Sequence, residues 1–232
     1  MRADEMDEVR AIPLFAGVGE AHVTALLRTS FLQRFPAHVD LIREGEPADF
    51  LNVVVDGHVE VYAAHRGRET TVAVIGRGHS FIAAAVVLDR VNLKSARTLT
   101  PSRILLMPAD AVRQVFATDA AFARALAVEL ALGYRAIVKE LKNQKLRSSL
   151  ERLASWIVQR DVEAGCTGRF ELPFEKRVLA SRLGMAPEVL SRTFGALAAY
   201  GVEIAGRIVT IGDRDALMKL ARPTTTIDDP ES

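Results

Sequence analysis

Between about Leu41 and Pro108 the apolar residues fall in short runs broken by polar residues and glycines. The segment FLNVVVDGHVEVYAAHRGRETTVAVIGRGHSF alternates β-branched with polar residues, punctuated by Gly57, Gly67, Gly76 and Gly78. Alternation of this kind with glycine turns predicts short strands folded into a small β-sandwich or barrel. Ahead of it, GEAHVTALLRTS reads as a short helix, and the apolar side chains of IPLF are expected to pack on the barrel. From Asp110 the period changes. DAVRQVF reads as one short helix, and the stretch from Ala120 to about Arg160 runs on with scarcely a breaker except Gly133.

Within that stretch Leu126, Leu130, Tyr134, Ile137 and Leu141 recur every third or fourth residue, while Glu129, Arg135, Lys139, Glu140 and Lys142 lie mainly outside the stripe. An apolar stripe on a helix that overhangs a small domain calls for a partner helix, so these five residues are read as a dimer interface. The competing reading packs the stripe on the barrel itself. DVEAGCTGRFELPF then breaks the helical pattern. After it come a helix (EKRVLASRL), a turn (GMA), a second helix (PEVLSRTFGALAAYG) and VEIAGRIVTIGD, which alternates as strands on both sides of Gly206-Arg207. Helix, turn, helix and two-stranded wing make a winged helix-turn-helix. The expected organisation is α+β: a β domain over 1–118, a dimerisation helix over 119–160, the winged helix-turn-helix over 161–222, and a polar tail over 223–232 expected to be disordered.

On a helix advancing roughly 100° per residue, Ser191 and Arg192 fall within about 60° of Glu188. Leu190, Phe194 and Leu197 lie on the opposite face, and Gly195 adds no bulk to the polar one. Arginine can donate two hydrogen bonds to guanine, a carboxylate can accept from cytosine, and a serine hydroxyl suits a base edge or a phosphate. In isolation the face would read as a solvated one with an i, i+4 Glu188–Arg192 pair. Behind a short turn and before a wing, Glu188, Ser191 and Arg192 read as base-contacting residues. Lys176, Arg177 and Arg182 on the preceding helix read as phosphate contacts, and Lys139, Lys142, Lys145, Arg147 and Arg152 add positive charge to the long helix.

Composition narrows the alternatives. A net charge of +1 means that any affinity for nucleic acid comes from local clustering. One cysteine, Cys166, excludes an internal disulfide framework, a Cys-rich zinc site and an all-cysteine iron–sulfur cluster. The acidic MRADEMDEVR start is not a signal peptide, and no apolar run reaches the roughly 18 residues of a membrane span. The expected setting is cytoplasmic. No nucleophile elbow, phosphate loop or metal-ligand spacing is present, so an enzyme is not expected. The alternative from another class is a small-molecule-sensing scaffold whose C-terminal domain docks a protein.

The chain resembles the CRP/FNR transcription regulators over nearly its whole length. LIREGEPADFLNVVVDGHVEVY is similar to the family's β-roll signature, LERLASWIV to the handover from dimer helix to DNA-binding domain, and LGMAPEVLSRTFGAL to its recognition helix. The family's Glu-x-x-Ser-Arg signature falls on Glu188, Ser191 and Arg192, which in the FNR branch implies an inverted repeat of TTGAT-type halves. LPFEKRVLASRLGMAPEVLSR resembles most closely the DNR/NnrR group, which responds to nitric oxide. The resemblance implies a cyclic-nucleotide-binding-like jelly roll, a homodimer on a palindromic DNA operator, RNA polymerase as a partner, and an effector pocket that includes Ala83, Ala84, Lys94 and Ser95. Two departures stand out. AAAVV at Ala83–Val87 replaces the family's Gly-Glu-Leu, and Lys94-Ser95-Ala96 replaces Arg-Ser-Ala, so the ribose-binding carboxylate and the bidentate arginine are missing. Cyclic nucleotide is therefore not the expected effector, and haem with nitric oxide or carbon monoxide is preferred. His22, His38, His58, His65 and His79 stand in no diagnostic haem or metal motif, and Cys166 is read as incidental.

Overall fold

The computed structural model describes residues 3–229 and divides the chain into two compact units, Met1–Tyr134 and Arg135–Ser232. The first opens with α1 (Ala3–Arg10) and α2 (Glu20–Thr29). Strands β1 (Phe31–Phe35), β2 (Asp40–Ile42), β3 (Phe50–Asp56), β4 (Val59–His65), β5 (Arg68–Ile75) and β6 (Ser80–Phe81) follow. Then come α3 (Ala83–Leu88), β7 (Ser95–Thr98), β8 (Ser102–Pro108), α4 (Ala109–Thr118) and α5 (Ala120–Leu146), which crosses the boundary between the units. The strands begin earlier than the alternation predicts, because β1 lies ahead of Leu41.

Two antiparallel four-stranded sheets form the β-roll, with orders β1-β8-β3-β6 and β2-β7-β4-β5. Ile42, Val54, Val59, Val61, Phe81, Ala96 and Ile104 fill the space between them. The first sheet is also covered on its other face. Leu51 pairs with Met107 and Val53 with Leu105, and all four pack in one cluster with Val23 and Leu26 of α2, Val86 of α3, Val112 of α4, and Phe122 and Leu126 of α5. A strand buried on both faces needs apolar residues at successive positions, which is why β3 reads as a nearly continuous run. Leu14 and Phe15 of IPLF join the same cluster.

In the second unit α6 (Ser149–Glu163) follows α5 after a two-residue joint. The expected single helix over 119–160 is thus corrected to two. Ser148 caps the N3 amide of Glu151, whose carboxylate accepts from the Ser148 N–H at 2.8 Å, a reciprocal capping box that starts a new helix. Next are β9 (Arg169–Glu171), α7 (Lys176–Arg182), α8 (Pro187–Leu197), β10 (Val202–Ala205), β11 (Ile208–Ile211), α9 (Arg214–Ala221) and α10 (Thr225–Asp228). The wing has three strands, not two, because β9 pairs with β11. Trp156 of α6 anchors the core of this unit, with Phe170 edge-on at 6.2 Å and Phe174 at 6.3 Å. The expectation of a disordered tail over 223–232 is also corrected: 223–229 includes α10 and is tied by hydrogen bonds to α5 and α6. Residues 230–232 lie outside the described residues.

Candidate nucleic-acid interface

The turn between α7 and α8 is built by Gly184. Its φ of 63° lets its N–H reach Ser181 O at 3.0 Å and that of Met185 reach Ala180 O at 3.0 Å, the paired bonds of a Schellman motif. Pro187 then occupies the first helical turn of α8, where its missing N–H is not needed. Leu190, Thr193, Phe194 and Leu197 are buried, and the Thr193 hydroxyl donates back to Val189 O at 2.7 Å. Glu188, Ser191, Arg192 and Gly195 are exposed. The structure thus places the three base-reading candidates on one open face of α8. The wing is held beside it by Gly201, whose φ of 73° and closeness to Asp213, 2.6 Å from where a Cβ would stand, exclude any side chain. Arg207 in the wing turn is tied back, donating to Leu172 O at 2.6 Å and pairing with Glu171 at 3.2 Å.

The basic residues part company. Lys176 and Arg177 are exposed at the start of α7, with the Lys176 ammonium 5.8 Å from the centre of the Phe194 ring. Arg182, at the other end of α7, lines a groove of roughly 610 Å³ with Glu140 and Glu163. Burial and the nearby Arg160 push its guanidinium pKa down, while burial pushes the Glu140 carboxyl up. A half-buried arginine beside two carboxylates is set apart from the open end of α7, so Arg182 is removed from the phosphate set. Arg152 is also structural. Its Nε donates to Leu183 O at 2.8 Å and its Nη1 to Arg147 O at 2.7 Å. Lys139, Lys142 and Arg147 are engaged by the C-terminal segment.

The proposed dimer stripe divides in a similar way. Leu126 is fully buried in the core of its own unit and Leu130 packs partly against it, so Leu126 is corrected from interface to core. Tyr134, Ile137 and Leu141 remain 70%, 54% and 51% exposed. Ala131–Val138 are eight successive exposed residues, more than two turns of helix with no covered face.

In the β-roll, Ala83 belongs to the core under α3 and Ala84 is exposed. The Ser95 hydroxyl accepts from the Glu44 N–H at 3.0 Å, and burial depresses the Lys94 pKa. α3 is entered through Ile82 at φ 63°, a left-handed conformation that is unusual for a β-branched residue. Sequence reasoning missed how the roll holds α5. Glu129 accepts from the Ser80 N–H at 2.9 Å and lies 3.4 Å from His79 Nδ1, and this carboxylate raises the His79 pKa. Asp119 accepts from Phe122 N–H at 2.9 Å and Gly19 N–H at 3.0 Å and meets His22 at 2.8 Å. Those two N–H groups do most to hold its pKa down to about 2. Among the described residues no cluster of three His, Cys, Asp or Glu is arranged to hold a metal ion, and no helix is long and apolar enough to cross a membrane.

Comparison with known proteins agrees with this geometry. Residues 32–119 match the cyclic nucleotide-binding domain family, and residues 151–220 match the Crp-like helix-turn-helix domain family. The chain is 25% identical over 224 residues to the CRP-like cAMP-activated global transcriptional regulator of Mycobacterium tuberculosis, covering 94% of this chain and 100% of that protein. A solved Silicibacter pomeroyi structure, assigned as a cAMP-binding regulatory protein, is 27% identical with a TM-score of 0.60, over 94% of this chain and 100% of its own. FixK2 from Bradyrhizobium japonicum superposes with a TM-score of 0.73 at 21% identity, over 84% of this chain and 98% of its own, a likeness of fold. With residues 32–119 matched to a cyclic nucleotide-binding domain and residues 151–220 to a Crp-like helix-turn-helix domain, the chain is a CRP-like, DNA-binding transcription regulator and not an enzyme.

Proposed function

We propose that the protein acts as a homodimer that reads an inverted TTGAT-like repeat, and that it belongs to the DNR/NnrR group. Glu188, Ser191 and Arg192 contact base edges, and Lys176 and Arg177 contact phosphates. The observation that carries the reading is the open polar face of α8, set between a glycine turn and a wing. The pairing surface is the exposed part of the α5 stripe, Tyr134, Ile137 and Leu141, with Leu130 at its edge. Two such chains related by a two-fold axis present two α8 helices about one turn of DNA apart, which calls for a palindromic operator. RNA polymerase and a cytoplasmic setting belong to the same reading.

The effector acts on the β-roll beside the first half of α5, and it is not a cyclic nucleotide. The relatives named for cAMP point the other way, but here Ala83–Val87 offers no carboxylate for a ribose, and Lys94 lacks the arginine fork. Haem carrying nitric oxide or carbon monoxide is the preferred effector on family likeness. The described residues select no haem ligand: His22 and His79 meet carboxylates through Nδ1, which leaves each Nε2 open, and no group of three His, Cys, Asp or Glu is gathered to hold a metal, so no step is routed through haem.

Four measurements test the proposal. Binding-site selection should return a palindrome, with affinity falling steeply as salt rises; little binding to any duplex would favour a protein-docking module. Sedimentation should give a dimer that Ile137→Glu with Leu141→Glu converts to a folded monomer, and a monomeric unmodified protein would overturn the pairing. Calorimetry should find no useful cyclic AMP or cyclic GMP binding, and micromolar affinity would reverse the effector reading. An absorption spectrum with added haem then settles whether haem is retained.

A further inference from the structure

The segment Thr224–Asp229 lies against α5, the joint and α6. Arg147 donates from Nη1 and Nη2 to the two carboxylate oxygens of Asp228 at 2.7 and 2.6 Å, with both side chains only 8% exposed. The Ser155 hydroxyl donates to the same carboxylate at 2.5 Å and the Thr224 N–H at 2.6 Å, and Gln159 Nε2 reaches Asp228 O at 3.3 Å. The rest of the segment is held through two main-chain carbonyls and one hydroxyl. Lys139 Nζ donates to Asp229 O at 2.6 Å, Lys142 Nζ to the Thr226 hydroxyl at 2.8 Å, and Arg147 Nη2 to Arg222 O at 3.3 Å.

These partners lie on three consecutive pieces of the chain. Lys139 and Lys142 are on α5, Arg147 is in the joint, and Ser155 and Gln159 are on α6. A segment bonded to both sides of a joint restrains its angle. A buried, bidentate, fully hydrogen-bonded ion pair is a costly way to gain stability, and its best-attested use is to specify one arrangement over others. Burial works against ionisation of Asp228, yet Arg147, Ser155 and Thr224 outweigh it and keep the carboxyl below its ordinary range.

We propose that residues Thr224–Asp229 form a clasp. Arg147, Ser155 and Gln159 make a carboxylate receptor whose occupant is the chain's own Asp228, and its occupancy fixes the angle between α5 and α6. α6 packs against α8, so the clasp sets how the recognition helix is carried on the second half of α5. Trp156 and Asp228 line the same groove, and Trp156 is the chain's single tryptophan, so its fluorescence reports on the clasp directly.

The test uses the full-length chain with Asp228→Asn, Arg147→Gln and the double variant. Three readouts apply: hydrogen exchange at the Arg147 amide in the joint and the Arg152 amide in the first turns of α6, Trp156 emission, and tryptic cleavage after Arg222. In Asp228→Asn, exchange at the joint and cleavage should each rise about tenfold or more, and Trp156 emission should move to longer wavelength. The double variant should be no worse than the worse single one, as expected for partners in one interaction. Should Asp228→Asn fail to fold, Asp228→Glu keeps the charge and should recover most of the protection. Faster cleavage with unchanged exchange at the joint would make the segment a passenger and overturn the proposal, and so would additive effects in the double variant. The exchange readout needs no DNA, so a failure of the DNA reading would be seen separately, as loss of operator binding by the unmodified protein.

Discussion

Two regions of the C-terminal unit carry arginine and use it in opposite ways. On α8, Arg192 stands exposed beside Glu188 and Ser191. Around the α5–α6 joint, Arg147 and Arg152 are sunk among main-chain carbonyls and Asp228, with their donors committed to the fold. The residue type is the same, and what differs is solvent. A guanidinium in water keeps its hydrogen-bonding capacity for a ligand, whereas a buried one must be satisfied within the fold or it destabilises it.

The largest effects should therefore come from the joint. Arg152→Ala removes donors from the Leu183 and Arg147 carbonyls and should cost on the order of 3 kcal/mol in chemical denaturation. Arg192→Ala should stay within about 0.5 kcal/mol of the unmodified protein in the same experiment. Equal losses would erase the distinction between the two regions. Acid should act on the joint as well. Asp228 has a folded-state pKa below its ordinary 3.8, so the stability it adds is present above that value and is lost as pH falls through the lower folded value. A fall in pH from 5 to below 3.8 should loosen the joint, read by Trp156 emission, and Asp228→Asn should abolish that part of the change.

On DNA the order of importance reverses. Arg192→Ala should lose about 1–3 kcal/mol on the cognate site and relax preference at one guanine, measured by affinity for single-base operator variants. Glu188→Ala should alter which base pair is accepted nearby more than it alters overall affinity. An Arg192→Ala protein with unchanged specificity would reduce the α8 face to a solvated surface.

The same contrast explains what was legible in the sequence. The α8 face could be read because local periodicity decides it: Leu190, Phe194 and Leu197 go inward, and Glu188, Ser191 and Arg192 are left outside. Arg147 and Asp228 are 81 positions apart, and no local pattern links them, so the C-terminal segment looked like any polar end. The α5–α6 break did have a local signal, the Ser148-x-x-Glu151 capping box, which the unbroken helical pattern around it concealed. Leu126 shows the opposite limit. Its stripe was visible, but which part faces its own unit and which part is left exposed depends on where the core ends. β9 has only three residues and its role as third strand of the wing rests on pairing with β11, which lies far along the chain.

The smallest predicted effect separates the two ends of α7. Lys176 sits exposed at its start, near the Phe194 ring, whereas Arg182 at its end faces Glu140 and Glu163 in the groove. If Lys176 neutralises one phosphate, Lys176→Ala should weaken binding to all duplexes alike and make the log–log salt dependence shallower by about 0.9. Arg182→Ala should leave that slope unchanged, because the charge it removes meets carboxylates of its own unit and releases no counterion from DNA. It should instead raise the Glu140 pKa further, since Arg182 is one of the groups that hold that carboxyl down against burial. Parallel salt titrations of the two variants on one non-specific duplex make the comparison. Equal changes in slope would return Arg182 to the phosphate-contacting set and place both ends of α7 against the DNA backbone.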